Sequence, residues 1–572
     1  MMNLKPTAIL FLLLLTACAT APRQNAGQTA ALEPKEESQA ELPKLELTGQ
    51  MLYQFLLGDL AVQRGNPDLA AQTYRDLAKT TRDPRVARQA AQLAFEARQM
   101  DNTMEAVKLW QELEPNALRP KQMLVALLLT GGKLDEARLP LRDMLAADPA
   151  NLDSAFMHVY PMLARYPDKV AAYNLMHEVA QPYPRVAEAH WAQAQLAEAA
   201  GKYEVAVEEA HQARALRPEW GAAALLEAQL LQRVAPQQAL ASLKKYLAAY
   251  PDNKDVRLFY ARLLMEQKQY VDARQEFQQL LAASPGNADL AFAVALLSLE
   301  IGELERAEQE LKQALANGKK DQNSVYYYLG QLSEAKKHNE EALQSYRRVQ
   351  DGEYVFSARL RITYLLSQAD KLDEARQTLH ETETQNNQQR VQLLLFEGQL
   401  LRDAGQQEAA YQVLTQGLEK LPNHPDLLYE TAMLADRIGK HETFEQLIRK
   451  LIQIKPDNAH GYNALGYSFL ERNERVPEGM QLVEKAYQLA PGDSAIMDSV
   501  GWGYYRLGNL PKSVEFLRRA YTANPDPEIA AHLGEVLWMQ GNKEEATRIW
   551  QQALKEHADN AVLVAVVKKF LP

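Results

Sequence analysis

From about Thr48 to the end, apolar residues recur at the spacing of an amphipathic helix, in short segments punctuated by Gly and Pro. The segments repeat with a period near 34 residues, and small residues mark the register. Ala70, Ala106, Ala137, Ala171, Ala206, Ala239, Ala273, Ala307, Ala342, Ala375 and Ala410 follow one another at roughly 31 to 36 residues, and Phe444, Gly479, Ser513 and Ala546 continue the series. Five residues before this anchor stands Gly in many units, as at Gly65, Gly132, Gly201, Gly302, Gly405, Gly439, Gly508 and Gly541, where a first helix ends. Twelve residues after it stands Pro, as at Pro149, Pro218, Pro251, Pro285, Pro422, Pro456, Pro491 and Pro525, which stops a second helix. Twelve residues before it the position is Gly or Ala, as at Gly58, Ala94, Gly330, Gly398, Gly501 and Gly534, so that two helices can approach closely. The pattern predicts an all-α chain of helix-turn-helix units.

One unit, with Tyr326, Leu329, Gly330, Ala342 and Tyr346, resembles the tetratricopeptide repeat closely, and the resemblance extends over nearly the whole chain after the N-terminal segment. It implies a tetratricopeptide solenoid over residues 46–560, a right-handed superhelix of about fifteen units in which each unit buries its apolar face on the next. The apolar stretch from Ala561 to Val567 is expected to cap the stack as a final helix within 561–572. Units near residues 150–185 and 355–390 lack the turn Gly or the small first-helix residue, and their boundaries are the least defined.

The N-terminus reads differently. A charged start with Lys5, an apolar run from Ala8 to Leu15 and small residues before Cys18 make a secretory signal over residues 1–17, too short to span a ~30 Å hydrocarbon core as a helix. Cys18 is the only cysteine of the chain, and Leu15-Thr16-Ala17-Cys18 resembles the bacterial lipobox, which implies lipidation of Cys18 as the mature N-terminus. Ala19, where an Asp would otherwise direct retention, implies sorting to the outer membrane in a Gram-negative cell. Residues 18–45, rich in Ala, Gln, Glu, Lys and Pro, read as a flexible tether with an end-to-end distance of ~30 Å.

Composition narrows the function. The chain is 47% hydrophobic and 24% charged with a net charge of -11, and no dense Lys/Arg stripe offers the footprint of a nucleic-acid binder. His441-Glu442-Thr443-Phe444-Glu445 begins like a zinc-protease helix but has no second His. Gly501-Trp502-Gly503-Tyr504-Tyr505-Arg506 lacks the third Gly and the preceding strand of a dinucleotide loop. Both read better as repeat positions, and no motif calls for an enzyme, a metal or a cofactor.

In a tetratricopeptide unit the second, fifth, ninth and twelfth residues of the first helix face the concave side. In the three C-terminal units this register selects Asn463 and Tyr467, then Asp498, Trp502 and Tyr505, then Glu535 and Trp538, with Arg506 adjacent. Aromatic residues and Arg anchor many protein interfaces, although Trp502 and Trp538 also suit packing between neighbouring units. Asn463 suits a peptide backbone or a terminal carboxylate, but the sequence shows no clear Lys/Arg clamp beside it.

A closer resemblance lies in Asn463-Ala464-Leu465-Gly466-Tyr467, Asp498-Ser499-Val500-Gly501-Trp502 and the segment from Asp526 to Glu535. Together with the lipobox and Leu57-Gly58-Asp59-Leu60-Ala61, these resemble the outer-membrane tetratricopeptide lipoproteins that serve carboxyl-terminal processing proteases as adaptors. That resemblance implies binding of a periplasmic serine protease and of its substrates, peptidoglycan hydrolases among them. Two other readings remain open: an assembly factor for an outer-membrane, pilus or exopolysaccharide export machine, and a protein that binds or acts on peptidoglycan or a glycan through its aromatic residues. No pair of carboxylates placed for glycoside hydrolysis supports the last.

Overall fold

A computed structural model describes residues 43–571. The signal segment, Cys18 and nearly all of the tether lie outside the described residues. Within them are 31 α-helices and the 3-10 turn Pro149–Asn151, and no strand. The helices form fifteen antiparallel pairs followed by the single helix Ala561–Phe570. They fall into two compact units, one ending at Lys320 with eight pairs and one beginning at Asp321 with seven pairs and the final helix. At that division Gly318-Lys319 stands where other units have the helix-stopping Pro.

Local chemistry sets each pair. Nine of the fifteen first helices begin at side-chain caps, among them Asn253, Asn287, Asp321, Asn458, Asp493 and Asp526, which accept from backbone N–H groups two or three residues on. In thirteen of the fifteen pairs the turn places a residue in the left-handed region, and all eight turn glycines occupy it, from φ 67° at Gly65 to 99° at Gly541. In five pairs without that Gly, the residue is Arg98, Lys268, Lys337, Asp370 or Asn473, at φ 56–62°. This explains why the unit near 355–390 shows no glycine signal: Asp370 makes its turn, between helices Val355–Gln368 and Leu372–His380. The unit near 150–185 pairs Leu152–Ala164 with Lys169–Ala180.

The anchor is the fourth residue of each second helix and is buried. Two members of the sequence series shift accordingly. In helix Met100–Leu113 the anchor is Thr103 rather than Ala106, and in Lys169–Ala180 it is Ala172 rather than Ala171. Thr103 takes the place because its hydroxyl donates to the Gln99 carbonyl at 2.9 Å, which satisfies the polar group while the methyl packs. With these two, successive anchors stand 33 to 35 residues apart throughout.

The small first-helix residue has a specific partner sixteen positions later. A Cβ on Gly58, Gly330, Gly501 or Gly534 would stand 2.1–2.7 Å from the nearest side-chain atom of Tyr74, Tyr346, Leu517 or Trp550 respectively. These glycines exist so that a large second-helix side chain can lie against the first-helix backbone. Gly330→Ala is therefore expected to destabilise the second unit by about 1–3 kcal/mol through overpacking on Tyr346, even though alanine favours a helix by about 1 kcal/mol. Thermal denaturation measures it, and a rise in Tm would contradict the packing argument.

Candidate functional site

In the second unit, three consecutive first helices, Ala459–Glu471, Ser494–Arg506 and Pro527–Met539, carry the candidate residues. Their caps fix their register: Asn458, Asp493 and Asp526 accept from Gly461, Ile496 and Glu528 at 2.8–3.0 Å. Asn463 and Asp498 thereby hold the fifth position of their helices, and Tyr467, Trp502 and Glu535 the ninth.

The centre of the group is a residue that the register does not select, His532. It is 5% exposed and holds Asp498, itself 6% exposed, through Nδ1 at 2.9 and 3.1 Å from the two carboxylate oxygens. The Trp502 ring stacks on the imidazole with centroids 4.2 Å apart, and the Tyr467 hydroxyl lies 3.5 Å from Nε2. Burial pulls the His532 pKa down, but the charge and hydrogen bond of Asp498, with Glu471 and Glu528 beyond, outweigh it and hold the pKa above the ordinary imidazole value. Burial, then the carboxylates of Glu471, Asp498 and Glu528, push the Tyr467 phenol up. Burial and Asp526 likewise raise Glu528 against the opposing pull of His532.

Tyr505 and Glu535 continue the network. The Tyr505 hydroxyl donates to Glu535 Oε1 at 3.4 Å, and Lys569 of the final helix donates to the same oxygen at 3.0 Å. Arg506 lies over the Trp502 ring at 4.9 Å, and its Nη2 donates to the Glu471 carbonyl at 3.0 Å. Trp538 belongs to a different group: its ring stacks against Trp550 and meets Phe570, at 5.8 and 5.9 Å, where it helps dock the final helix. Trp502 is only 4% exposed, so the body of the ring packs between repeats rather than standing out as a surface anchor.

Three buried side-chain atoms on this surface nevertheless have no hydrogen-bond partner among the described residues: Asn463 Oδ1, Trp502 Nε1 and Arg506 Nε. Leaving such a group unsatisfied costs about 1–3 kcal/mol, and these three lie on two adjacent first helices.

Sequence reasoning missed His532 although it stands 34 residues, one repeat, after Asp498. It also missed the inner positions of the first unit. There Trp191 and Gln195 hold the fifth and ninth places of Ala187–Ala199, Tyr160 meets Trp191 edge-on at 5.0 Å, and Trp220 lies 5.9 Å beyond.

The two enzyme-like motifs resolve into helical positions of the repeat. His441 opens the second helix of a pair and bonds Asp436 at 2.9 Å, and Gly501 to Arg506 lie within a first helix. Among the described residues no three His, Cys, Asp or Glu side chains are grouped to hold a metal ion, and no helix is long and apolar enough to cross a membrane.

Comparison with known proteins agrees with the repeat geometry. Tetratricopeptide-repeat family profiles match residues 230–281 and 264–332, and again 501–561. A TPR repeat-containing protein of Pseudomonas aeruginosa is 36% identical over 487 residues, covering 85% of this chain and 82% of its own. The cellulose synthase operon protein C of Pseudomonas fluorescens is 28% identical over 165 residues, which are 27% of this chain and 13% of that protein. A thermophilic TPR protein of Thermus thermophilus aligns in structure with TM-score 0.30 and 23% identity, covering 32% of this chain and 99% of its own. With helix pairs in register from end to end and a relative matched over most of both lengths, the chain belongs to the tetratricopeptide-repeat protein family, whose scaffold suits protein–protein interaction.

Proposed function

We propose that the protein is a lipid-anchored adaptor, held at the periplasmic face of the outer membrane through Cys18, that brings substrates to a carboxyl-terminal processing protease. The observation that carries a binding role is the set of unsatisfied polar atoms on Asn463, Trp502 and Arg506, on the first-helix surface of the second unit. The motifs around Asn463, Asp498 and His532, with the lipobox and tether before them, favour the adaptor among binding roles. Such a protein acts by proximity: holding protease and substrate together raises their effective concentration, to the millimolar range for short flexible tethers. No chemistry is required of the repeats themselves.

Reconstitution tests the reading. The purified full-length chain, added to a carboxyl-terminal processing protease and a peptidoglycan hydrolase substrate, is expected to accelerate degradation at least about tenfold at submicromolar concentrations. An unchanged rate over the same range would reject the adaptor role while leaving a scaffold for envelope assembly in play.

A further inference from the structure

We infer that the outward face of the first helix, Gly49–Gln63, is a seat for the phospholipid surface of the membrane to which Cys18 ties the chain. The choice of occupant rests on the anchored placement proposed above. Met51, Phe55, Gly58 and Ala61 turn the inner side of this helix to the core, with Phe55 edge-on to Tyr74 at 6.3 Å. On the opposite side Leu52, Leu56 and Leu60 recur every fourth residue, which aligns them on one face, with Tyr53 beside them. They are 46%, 61%, 47% and 64% exposed respectively. Leu45 and Leu47, just before the Thr48 cap, add two more exposed apolar side chains on the tether side.

Such a face is out of place at the end of a repeat array. Inner pairs bury the equivalent face on the pair before them, and a terminal repeat stays soluble by presenting polar residues there. No pair precedes this one among the described residues. The other terminus follows the rule: of the large apolar side chains in Ala561–Phe570 only Val562 is exposed, and Lys568 and Lys569 are exposed with it. An exposed apolar patch of this kind marks a surface that is covered in use, and position selects what covers it. The tether over residues 18–45 keeps the helix within ~30 Å of the bilayer, so lipid is present there at high effective concentration. The helix has 15 residues, about 22 Å of length, which is too short to span the hydrocarbon core but suits lying along its surface. Its composition fits that boundary. The stripe itself holds no charge, the exposed Lys44 and Arg64 stand beyond its two ends where lipid phosphates lie, and Tyr53 has the apolar ring and polar tip favoured at a membrane interface. Asp59, at the edge of the stripe, accepts from the Tyr74 hydroxyl at 2.5 Å on the core side. Glu46 alternates with Leu45 and Leu47, so the seat is apolar rather than a basic patch.

The test is flotation of the mature chain, residues 18–572 with Cys18→Ser so that no acyl chain contributes, with vesicles of phosphatidylethanolamine and phosphatidylglycerol at about 3:1. The expected result is co-flotation that survives about 0.5 M NaCl, where charge attraction is screened. It should fall at least about tenfold in the triple variant Leu52→Gln, Leu56→Gln, Leu60→Gln. These side chains are exposed, and circular dichroism verifies that the variant is folded. The Tyr53→Trp chain should also lose more fluorescence to brominated acyl chains in the vesicles than the unsubstituted chain does. No flotation, flotation that salt abolishes or that the triple variant retains, or no added quenching in Tyr53→Trp would each overturn the inference. A dimer in sedimentation equilibrium without lipid, dissolved by the same triple variant, would assign the face to a second copy and overturn it too. The anchor is read separately, from the mass of the N-terminal peptide of the chain extracted from cells. An acylated Cys18 with no vesicle binding by the Cys18→Ser chain keeps the anchor and removes this seat. Binding through the stripe with no acyl group on Cys18 does the reverse.

Discussion

Replacing Trp550 by alanine is expected to cost about 3–5 kcal/mol and to unfold the C-terminal repeats first. Trp550 is fully buried, lies against the backbone at Gly534, donates from Nε1 to the Ala531 carbonyl at 3.4 Å and stacks on Trp538 and Phe570. It thus joins both helices of the last pair to the final helix Ala561–Phe570. Its removal leaves a cavity that Gly534 cannot fill and takes away the surface on which the final helix docks. In a repeat array each unit is stabilised mainly by its neighbours, so the loss is local to the end of the second unit. Hydrogen exchange should show protection lost over residues 527–570 while the helices before Lys320 are unaffected. Equal protection in wild type and variant would contradict the packing described here.

The second large effect is pH-dependent. Asp498→Asn breaks a buried ion pair, for which removal of one partner costs about 3–5 kcal/mol. The sign follows from His532. Its pKa is raised in the folded protein, above about 6.5 in the unfolded chain. The pair's contribution is therefore complete below about pH 6.5 and is lost as the pH rises through the folded-state value. Glu471, Glu528 and the Tyr467 hydroxyl face the same imidazole, and the two carboxylates act in the same direction. Urea denaturation should show the largest difference between wild type and Asp498→Asn at about pH 6 and a smaller one at about pH 9. A difference that grew with pH would mean that His532 is neutral when buried.

How far the sequence carries can be seen residue by residue. Where Gly makes the turn, as at Gly201 or Gly508, both helix boundaries follow from the sequence, because Gly alone enters the left-handed region without steric cost. Where Lys268 or Asp370 makes the same turn, the residue type carries no signal, and only the neighbours in the array force the conformation. The shift from Ala106 to Thr103 has a similar origin: a threonine that satisfies its own hydroxyl on the preceding turn serves as a small buried residue, which composition alone does not reveal. The glycines of the first helices were legible as small residues, but their partners Tyr74, Tyr346 and Trp550 become apparent only when the two helices are laid together.

The candidate site was legible in its positions and less so in its chemistry. The helical register chose Asn463, Tyr467, Asp498, Trp502, Tyr505 and Glu535, and the structure places them on three consecutive first helices. It also chose Trp538, whose ring turns to the final helix instead, because a terminal helix offers it Phe570. His532 was not selected, since it sits one residue from the fifth position and owes its role to a carboxylate one repeat earlier. Arg506 entered only as a neighbour of Trp502, yet its unpartnered Nε gives the surface its cationic donor.

The adaptor role is tested most directly by what the intact protein holds in its envelope. The full-length chain, tagged at its C-terminus, extracted from membranes in mild detergent and recovered by affinity, is expected to carry a carboxyl-terminal processing protease in stoichiometric amount, identified by mass spectrometry. Recovery of an assembly or export machine with no such protease would contradict it.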